Sequence, residues 1–203
     1  ADAYLGLSAA TDVEGQVAFR LPAGTYKFRA DHMNNQFWAT AAVAGNATND
    51  IALSTGGGTF SLTVQKESTA ALAGIPVYVF STSGAYLGLT ATTDADGQVS
   101  FTMADGDYRF RADYMGYQFW TPDYTVPNNQ SDVLAIAHQD VTVTVNEKFG
   151  VDVVALENVP VYLFTAAGAY MGQHVTTDAS GLVTFNLPAA DYQVRADVLS
   201  SQT

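Results

Sequence analysis

The sequence has no cysteine, few basic residues and no apolar run long enough to cross a bilayer. The absence of cysteine excludes disulfide bonds and thiolate metal sites within these 203 residues. Only 8 Lys and Arg stand against 20 Asp and Glu, which gives a formal net charge of −12. Because an acidic surface repels phosphate groups, we expect no nucleic acid as a partner. Because no apolar run is long enough to span a bilayer, we expect no membrane insertion within this segment.

One segment of the sequence occurs three times. The stretch Ala85–Phe101 has a close copy earlier in the chain, at Ala3–Phe19, and a more divergent copy later, at Ala169–Phe185. The offset between copies corresponds to one small domain and is much longer than a solenoid turn. We therefore expect a tandem array. Its parts are called repeat 1 (1–58), repeat 2 (59–139) and repeat 3 (140–203).

Repeat 2 has the pattern of short strands separated by turns. Phe60–Gln65 alternates apolar and polar residues, and Ile75–Phe80, Gln98–Met103 and Asp132–Ala137 have strand-like patterns of the same length. Asp94–Gly97 is a turn signal, because Asp tolerates and Gly permits a positive φ. No window shows a sustained helical period, so the sequence predicts an all-β fold of sandwich domains repeated end to end.

The two-residue period of a strand assigns its faces. Tyr108, Phe110 and Ala112 share one face, while Arg109 and its alternate neighbours share the other. The first face is predicted to be core and the second to be solvated. The further predicted core positions are Val17, Phe19, Leu21, Tyr26, Phe28, Ala30, Val99, Phe101, Met103, Val183, Phe185, Leu187, Tyr192, Val194 and Ala196.

The two outer repeats contain fewer strand segments than repeat 2. Repeat 1 lacks counterparts of 60–80, and repeat 3 lacks counterparts of Gln118–Trp120 and of the strand at 132–137. A sandwich without these strands would expose unpaired edges. We expect either that the sequence is a window cut from a longer array, or that the missing strands come from another chain.

Acidic residues gather at two turns of repeat 2. Asp94, Asp96, Asp105 and Asp107 offer the hard oxygen ligands that Ca²⁺ takes, although their spacing falls short of an EF-hand loop. The alternative is that Asp serves these turns for conformational reasons. Calcium is one interpretation of this pattern, and we expect no other cofactor.

An aromatic run occurs at equivalent positions of repeats 1 and 2, at Gln36–Trp38 and Gln118–Trp120. Exposed Trp38, Trp120 and Tyr117 beside polar side chains would stack on sugar rings or contact a protein. The alternative is packing in the core or between domains. Strand alternation allows only one of the adjacent Phe and Trp to point inward.

Three segments together resemble a known class of module. They are Gly74-Ile-Pro-Val-Tyr-Val-Phe80, Thr92-Thr-Asp-Ala-Asp-Gly-Gln-Val-Ser-Phe101 and Leu21-Pro-Ala-Gly-Thr-Tyr-Lys-Phe-Arg-Ala30. The succession resembles the prealbumin-like, Ig-like modules of bacterial surface proteins, which include carboxypeptidase regulatory-like domains and the B-type repeats of collagen-binding adhesins. The resemblance implies Ig-like β-sandwiches at the cell surface or outside the cell, where such modules serve as stalks, spacers, filament subunits and binders.

One feature of the adhesin repeats is missing from this sequence. Those repeats often carry a self-formed Lys–Asn isopeptide bond, which is assisted by a buried Glu. Ala30, Ala112 and Ala196 occupy the position of that Glu. The resemblance therefore does not extend to the bond, and we expect Lys66 and Lys148 to be solvated strand ends.

Repetition at the scale of a domain favours a structural role. His32, His138 and His174 fall at unrelated positions of the repeats, and no Ser/His/Asp or paired-carboxylate spacing stands out, so we expect no enzyme. We expect a component of an extracellular or cell-surface fibre or stalk, whose partners are copies of itself or neighbouring repeats. The alternative is a multivalent adhesin module that binds carbohydrate or protein. Burial of Trp38 and Trp120 would favour the structural role, and an exposed platform formed by them would favour the binding role.

Overall fold

The computed structural model describes residues 3–198, which form seventeen β-strands. None of these residues lies in a helix that could span a bilayer. The strands are β1 (Gly24–His32), β2 (Asn35–Val43), β3 (Gly58–Lys66), β4 (Pro76–Ser81), β5 (Tyr86–Thr92), β6 (Gln98–Met103), β7 (Gly106–Tyr114), β8 (Tyr117–Trp120), β9 (Tyr124–Val126), β10 (Ser131–Ile136), β11 (His138–Thr144), β12 (Asn146–Phe149), β13 (Asp152–Ala155), β14 (Pro160–Thr165), β15 (Tyr170–Thr176), β16 (Leu182–Pro188) and β17 (Tyr192–Ala196).

Repeat 2 forms two sheets that enclose one core. The first has the strand order β10-β3-β6, and the second has the order β5-β4-β7-β8, with β9 also paired to β7. All pairs are antiparallel except that of β10 with β3, which is parallel. The predicted all-β, Ig-like sandwich is therefore confirmed in repeat 2.

The core of repeat 2 lies between the inward faces of these sheets. Phe60 stacks on Phe110 with ring centroids 4.6 Å apart, and Phe101 also stacks on Phe110, with ring centroids 5.7 Å apart. Tyr108, Phe110 and Ala112 are fully buried, as their alternation predicts. The residues of the preceding strand that were expected in the core, Val99, Phe101 and Met103, are buried as well.

Repeat 3 forms a smaller core from its two sheets, β11-β16 and β15-β14-β17. Its buried members are Val161, Leu163, Val183, Phe185 and Leu187. The hairpin of β12 and β13 is longer than the corresponding feature of repeat 2, where Gln65 and Ala71 form only an isolated antiparallel bridge.

Two core predictions for repeat 3 are wrong. Val194 is 45% exposed and Ala196 is also exposed. The counterpart of Val194 in repeat 2 is Phe110, which is covered by the large rings of Phe60 and Tyr124. Val141 is paired with Phe185 where Phe60 is paired with Phe101, so a smaller side chain covers this face in repeat 3.

Repeat 1 contains one hairpin, β1 and β2, and no strand in residues 3–23. The core predictions for this repeat are wrong: Val17 is 43% exposed, and Phe19, Leu21, Tyr26, Phe28 and Ala30 are only half-buried. The physical reason lies in the pairing of repeat 2. The strands β5 and β6 pair only with β4 and β3, and repeat 1 has no counterpart of either partner.

The two faces of repeat 2 predict opposite effects of mutation. Phe101→Ala should lower the free energy of unfolding by about 3–5 kcal/mol, since it removes buried apolar surface and leaves a cavity. Arg109→Ala, which removes a partly exposed ion pair with Asp123, should cost about 1 kcal/mol or less. Chemical denaturation of the full chain measures both. A larger loss for Arg109→Ala than for Phe101→Ala would contradict the face assignment.

Candidate functional site

An arginine surrounded by aromatic rings occupies the outer face of repeat 2. The register places Tyr78, Arg111 and Trp120 side by side on β4, β7 and β8. The guanidinium carbon of Arg111 lies 4.7 Å from the ring centroid of Tyr78, 5.1 Å from that of Phe80 and 5.7 Å from that of Trp120. We call these four residues the arginine–aromatic cluster.

Asp113 completes the polar part of the arginine–aromatic cluster. Its two carboxylate oxygens lie 2.8 Å from Nε and 3.0 Å from Nη2 of Arg111. The Arg111 side chain is only 19% exposed, so its contacts are partly desolvated. A planar guanidinium held by a carboxylate on one side and by rings above it is fixed in orientation.

Each outer repeat contains part of the same arrangement. In repeat 1 the Arg29 guanidinium lies 5.6 Å from the Trp38 ring and pairs with Asp31. In repeat 3 Arg195 pairs with Asp197 and lies 5.0 Å from the ring of Tyr162. Among the described residues 3–198, repeat 1 has no strand that would bring the tyrosine, and repeat 3 has none that would bring the tryptophan.

The equivalent outward faces of β1, β7 and β17 carry most of the basic residues. Together these three faces hold five of the eight: Lys27 and Arg29 in repeat 1, Arg109 and Arg111 in repeat 2, and Arg195 in repeat 3. They follow from the alternation of β1, β7 and β17, which places every second side chain outward. Sequence analysis assigned these residues to the solvated face but did not foresee the rings beside them, because β4 and β7 are distant in the chain and meet only in the folded sheet.

The predicted binding tryptophans lie at the surface. Trp38 is 53% exposed and Trp120 is 40% exposed, while Phe119 on the same strand packs against the core. The alternation therefore turns Phe inward and Trp outward. Binding of a ligand by these tryptophans stays a prediction.

Tyr117, the third predicted binding residue, does not join them. Its hydroxyl donates a hydrogen bond to the backbone oxygen of Asp191, and its ring makes an edge contact with Tyr192 at 5.5 Å. Tyr117 is thus part of the contact between repeats 2 and 3. Strand alternation explains the difference, since an odd separation in the strand makes Tyr117 and Trp120 point to opposite faces.

The four acidic candidates for calcium fall into two separate places. Asp94 and Asp105 lie just outside the two ends of β6, six residues long, which separates them by about 20 Å. The two turns therefore do not form one site, and calcium binding at either turn stays a prediction. Within residues 3–198, no group of three or more His, Asp or Glu side chains is arranged to hold a metal ion.

The Asp94 carboxylate has a conformational role. One of its oxygens accepts hydrogen bonds from the backbone N–H groups of Asp96 and Gln98, at 2.9 and 2.8 Å. Asp12 and Asp178 make the same pair of bonds in the other repeats. Asp107 accepts a hydrogen bond from the hydroxyl of Thr125. These bonds support the alternative based on turn chemistry.

The contact between repeats 1 and 2 is made by the turn that joins β1 to β2. The Met33 side chain packs against the core of repeat 2, and its sulfur accepts the N–H of Ala104 at 3.3 Å. Asn35 donates to the hydroxyl of Tyr108 at 3.2 Å. A Cβ on Gly106 would lie 2.3 Å from the Asn35 amide nitrogen, so the two repeats approach closely at that glycine.

The contact between repeats 2 and 3 is made in the same way by the turn that joins β7 to β8. Met115 packs against the core of repeat 3, and Tyr117 packs on Tyr192. Beside this contact, the Lys66 ammonium donates to Asn186 at 2.7 Å. Lys66 lies at the end of β3, as expected, and its hydrogen bond is exposed to solvent, but its side chain also reaches the next repeat.

Comparison with known proteins gives a family match for part of the chain. Residues 59–155 match the carboxypeptidase regulatory-like domain, so the resemblance inferred from the sequence is confirmed over repeat 2 and the first strands of repeat 3. No curated protein sequence matches the chain.

Several solved structures are similar to the chain at low identity. The TIE protein of Bacillus anthracis is 16% identical with a TM-score of 0.40, and the similarity covers 93% of this chain but only 39% of that protein. The minor pilin GBS52 of Streptococcus agalactiae is 14% identical with a TM-score of 0.42, over 70% of this chain and 84% of the pilin. The shaft pilin SpaA of Lactobacillus rhamnosus GG is 14% identical with a TM-score of 0.36, over 71% and 89%.

The tyrosines at the two contacts predict a loss of stability at alkaline pH. Burial raises the pKa of Tyr192 to about 12, with Tyr117 and Tyr114 adding to the effect, and burial also raises the pKa of Tyr108. Between about pH 10 and 12 the unfolded chain therefore loses these protons before the folded chain does. The free energy of unfolding should fall over that range.

Denaturation of the full chain at a series of pH values measures this effect. Tyr192→Phe removes one of the phenols and should make the decline with pH less steep. A stability that stays level or rises between about pH 10 and 12 would contradict the assigned shifts.

Proposed function

We propose that this chain is a non-enzymatic structural part of an extracellular or cell-surface fibre or stalk, built from tandem Ig-like repeats. The observation that carries the proposal is that equivalent turns make both contacts between repeats. The turn at Met33 contacts repeat 2, and the turn at Met115 contacts repeat 3. A contact that is repeated in one direction along the chain adds length with each repeat. The family match over residues 59–155 agrees with a surface module.

The segments that join the repeats leave little freedom. Only Ala137 separates β10 of repeat 2 from β11 of repeat 3. Before repeat 2, the backbone oxygen of Thr55 accepts the N–H of Asp105 at 3.0 Å, which fixes the linker to the following repeat. A short or tethered linker restricts the angles between neighbours. Both features suit a stalk, whose task is to hold its end at a distance.

Insertion of a second copy of 59–139 between repeats 2 and 3 tests the spacer role. Each repeat is about as long as a nine-residue strand, so the maximum dimension of the chain should increase by about 30 Å. Small-angle scattering of the two proteins measures the increment. An added repeat that folds back, and so increases the mass without this increase in length, would contradict the proposal.

The surface location has a separate test. On cells that produce the protein, an amine-reactive biotin reagent that does not cross membranes should label Lys148, in the exposed hairpin of β12 and β13. A cytoplasmic protein in the same cells is the control for leakage. Labelling of the chain only after cell lysis would contradict a surface location.

A specific observation favours a second function, the binding of carbohydrate. Trp38 and Trp120 are exposed, and each lies beside an arginine that is paired with an aspartate. Aromatic rings stack on sugar faces, and guanidinium and carboxylate groups bind hydroxyls. Weak sites of this kind, presented by several repeats on one stalk, would bind a glycan surface with avidity.

Tryptophan fluorescence tests this second function directly, because Trp38 and Trp120 are the only two tryptophans in the chain. A soluble oligosaccharide that stacks on them should shift or quench the emission in a saturable way. Trp120→Phe should remove the response of repeat 2. Phe80→Leu alters a ring whose centroid lies 4.8 Å from that of Trp120, and this change should only weaken the response. A panel of neutral and acidic oligosaccharides that leaves the emission unchanged would exclude these tryptophans as sugar sites for the panel.

A further inference from the structure

We propose that the two-residue turns Met33–Asn34 and Met115–Gly116 are docking elements that bind the corner of the following repeat. This corner is the connection between β6 and β7 in repeat 2 and the connection between β16 and β17 in repeat 3. In this proposal the docking, rather than the linker alone, sets the orientation of consecutive repeats. The partner surface is another repeat of the same kind. The proposal rests on the stalk function for its biological purpose, but its geometry stands on the contacts at the two turns.

The backbone of these turns is the first argument. Met33 has a φ of 49° and Asn34 one of 64°, and Met115 and Gly116 have 51° and 77°. Two successive positive φ angles define the hairpin turn that favours Asn or Gly at both positions. Methionine is therefore a costly choice for the first position, and the same choice occurs in both turns.

The side chains give a reason for that choice. Both methionines reach out of their own repeat and pack against the core of the next one. Methionine is long and unbranched, so it fills an irregular gap at the end of a sandwich. An asparagine or glycine would relax the backbone but would leave that gap empty.

The receiving corner is also equivalent at both contacts. It contains Tyr108 in repeat 2 and Tyr192 in repeat 3, which occupy the same position of the repeat. The hydroxyl of Tyr108 donates to the backbone oxygen of Ala104, and that of Tyr192 to the backbone oxygen of Pro188, both at 3.0 Å. The second residue after each methionine, Asn35 or Tyr117, contacts this tyrosine. Turn and corner thus meet through matching positions, although Asn35 and Tyr117 differ in chemistry.

The corner of repeat 1 has the same internal geometry. Tyr26 donates to the backbone oxygen of Pro22 at 2.9 Å, which reproduces the bonds of Tyr108 and Tyr192. The same internal bond is therefore present in all three repeats, as a reusable receiving surface requires.

A distance measurement between spin labels tests the docking. The chain has no native cysteine, so labels can be placed at Gln98→Cys in repeat 2 and Thr184→Cys in repeat 3, both exposed strand positions. The parent protein should give one narrow distance distribution. Met115→Ala should broaden it without any change in the linker, and Met115→Leu, which keeps an apolar side chain of similar volume, should restore most of the narrow distribution.

Two further variants make the result specific. Val145→Ala truncates a side chain that packs against the same core at the end away from the turn, so it should leave the distribution narrow. Tyr117→Ala removes the ring contact without opening the core, and should broaden the distribution even if Met115→Ala unfolds repeat 3. Amide exchange of Val161 and Leu163 reports whether repeat 3 stays folded.

The possible outcomes separate this inference from the stalk proposal. A narrow distribution in the parent, in Met115→Ala and in Tyr117→Ala would overturn the docking role and leave the stalk intact. A broad distribution in the parent itself would contradict a fixed stalk. Broadening in both turn variants and in neither Met115→Leu nor Val145→Ala is the result that the docking role requires.

Discussion

The fold of each repeat depends on the two central strands that hold its sheets together. In repeat 2, β3 is hydrogen-bonded to both β10 and β6, and β4 is hydrogen-bonded to both β5 and β7. Without these two strands, β5, β6 and β10 have no partner, and only the pairing of β7 with β8 and β9 remains. Repeat 1 has no counterparts of β3 and β4, and its single hairpin of β1 and β2 is the pairing that survives. Repeat 3 keeps both counterparts, β11 and β14, and it keeps two sheets and a core.

The same constraint explains why the contact between repeats 1 and 2 matters for repeat 1. An isolated two-stranded hairpin is marginally stable in water. The hairpin of repeat 1 is anchored at its turn, where Met33 and Asn35 contact the next repeat. Its stability therefore depends on repeat 2. Among the described residues, Met33 is the only hydrophobic side chain of repeat 1 that packs against the core of repeat 2.

The sequence was sufficient for the local features of the fold. Alternation predicted the strands of repeat 2 and the burial of residues such as Phe101 and Phe110, because a strand with one buried face has a two-residue period. Recurrence predicted the aromatic run, and alternation predicted that only one of Phe119 and Trp120 is inward. These are properties that a residue shares with its neighbours in the chain.

What the sequence did not predict depends on contacts between distant segments. The parallel pairing of β10 with β3 joins the last strand of repeat 2 to its first, and the rings around Arg111 come from different strands. The core of repeat 3 was overestimated at Val194, because alternation specifies a face but not what covers it. The turn at Met115 was missed because turn rules favour Asn or Gly there. The one available signal was the recurrence of methionine at the repeat position that Met33 occupies.

The contacts between repeats also give the chain a direction. At each contact the turn belongs to the preceding repeat and the corner to the following one, so the two sides of the interface are different surfaces. Such an interface is heterologous and does not close on itself after two units. Two members of the arginine–aromatic cluster, Arg111 on β7 and Trp120 on β8, lie on the hairpin that the turn at Met115 closes. If docking sets the angle between repeats, it also sets the spacing and the relative direction of the exposed tryptophans. The proposed mechanical role and the proposed binding role would then depend on the same two methionines.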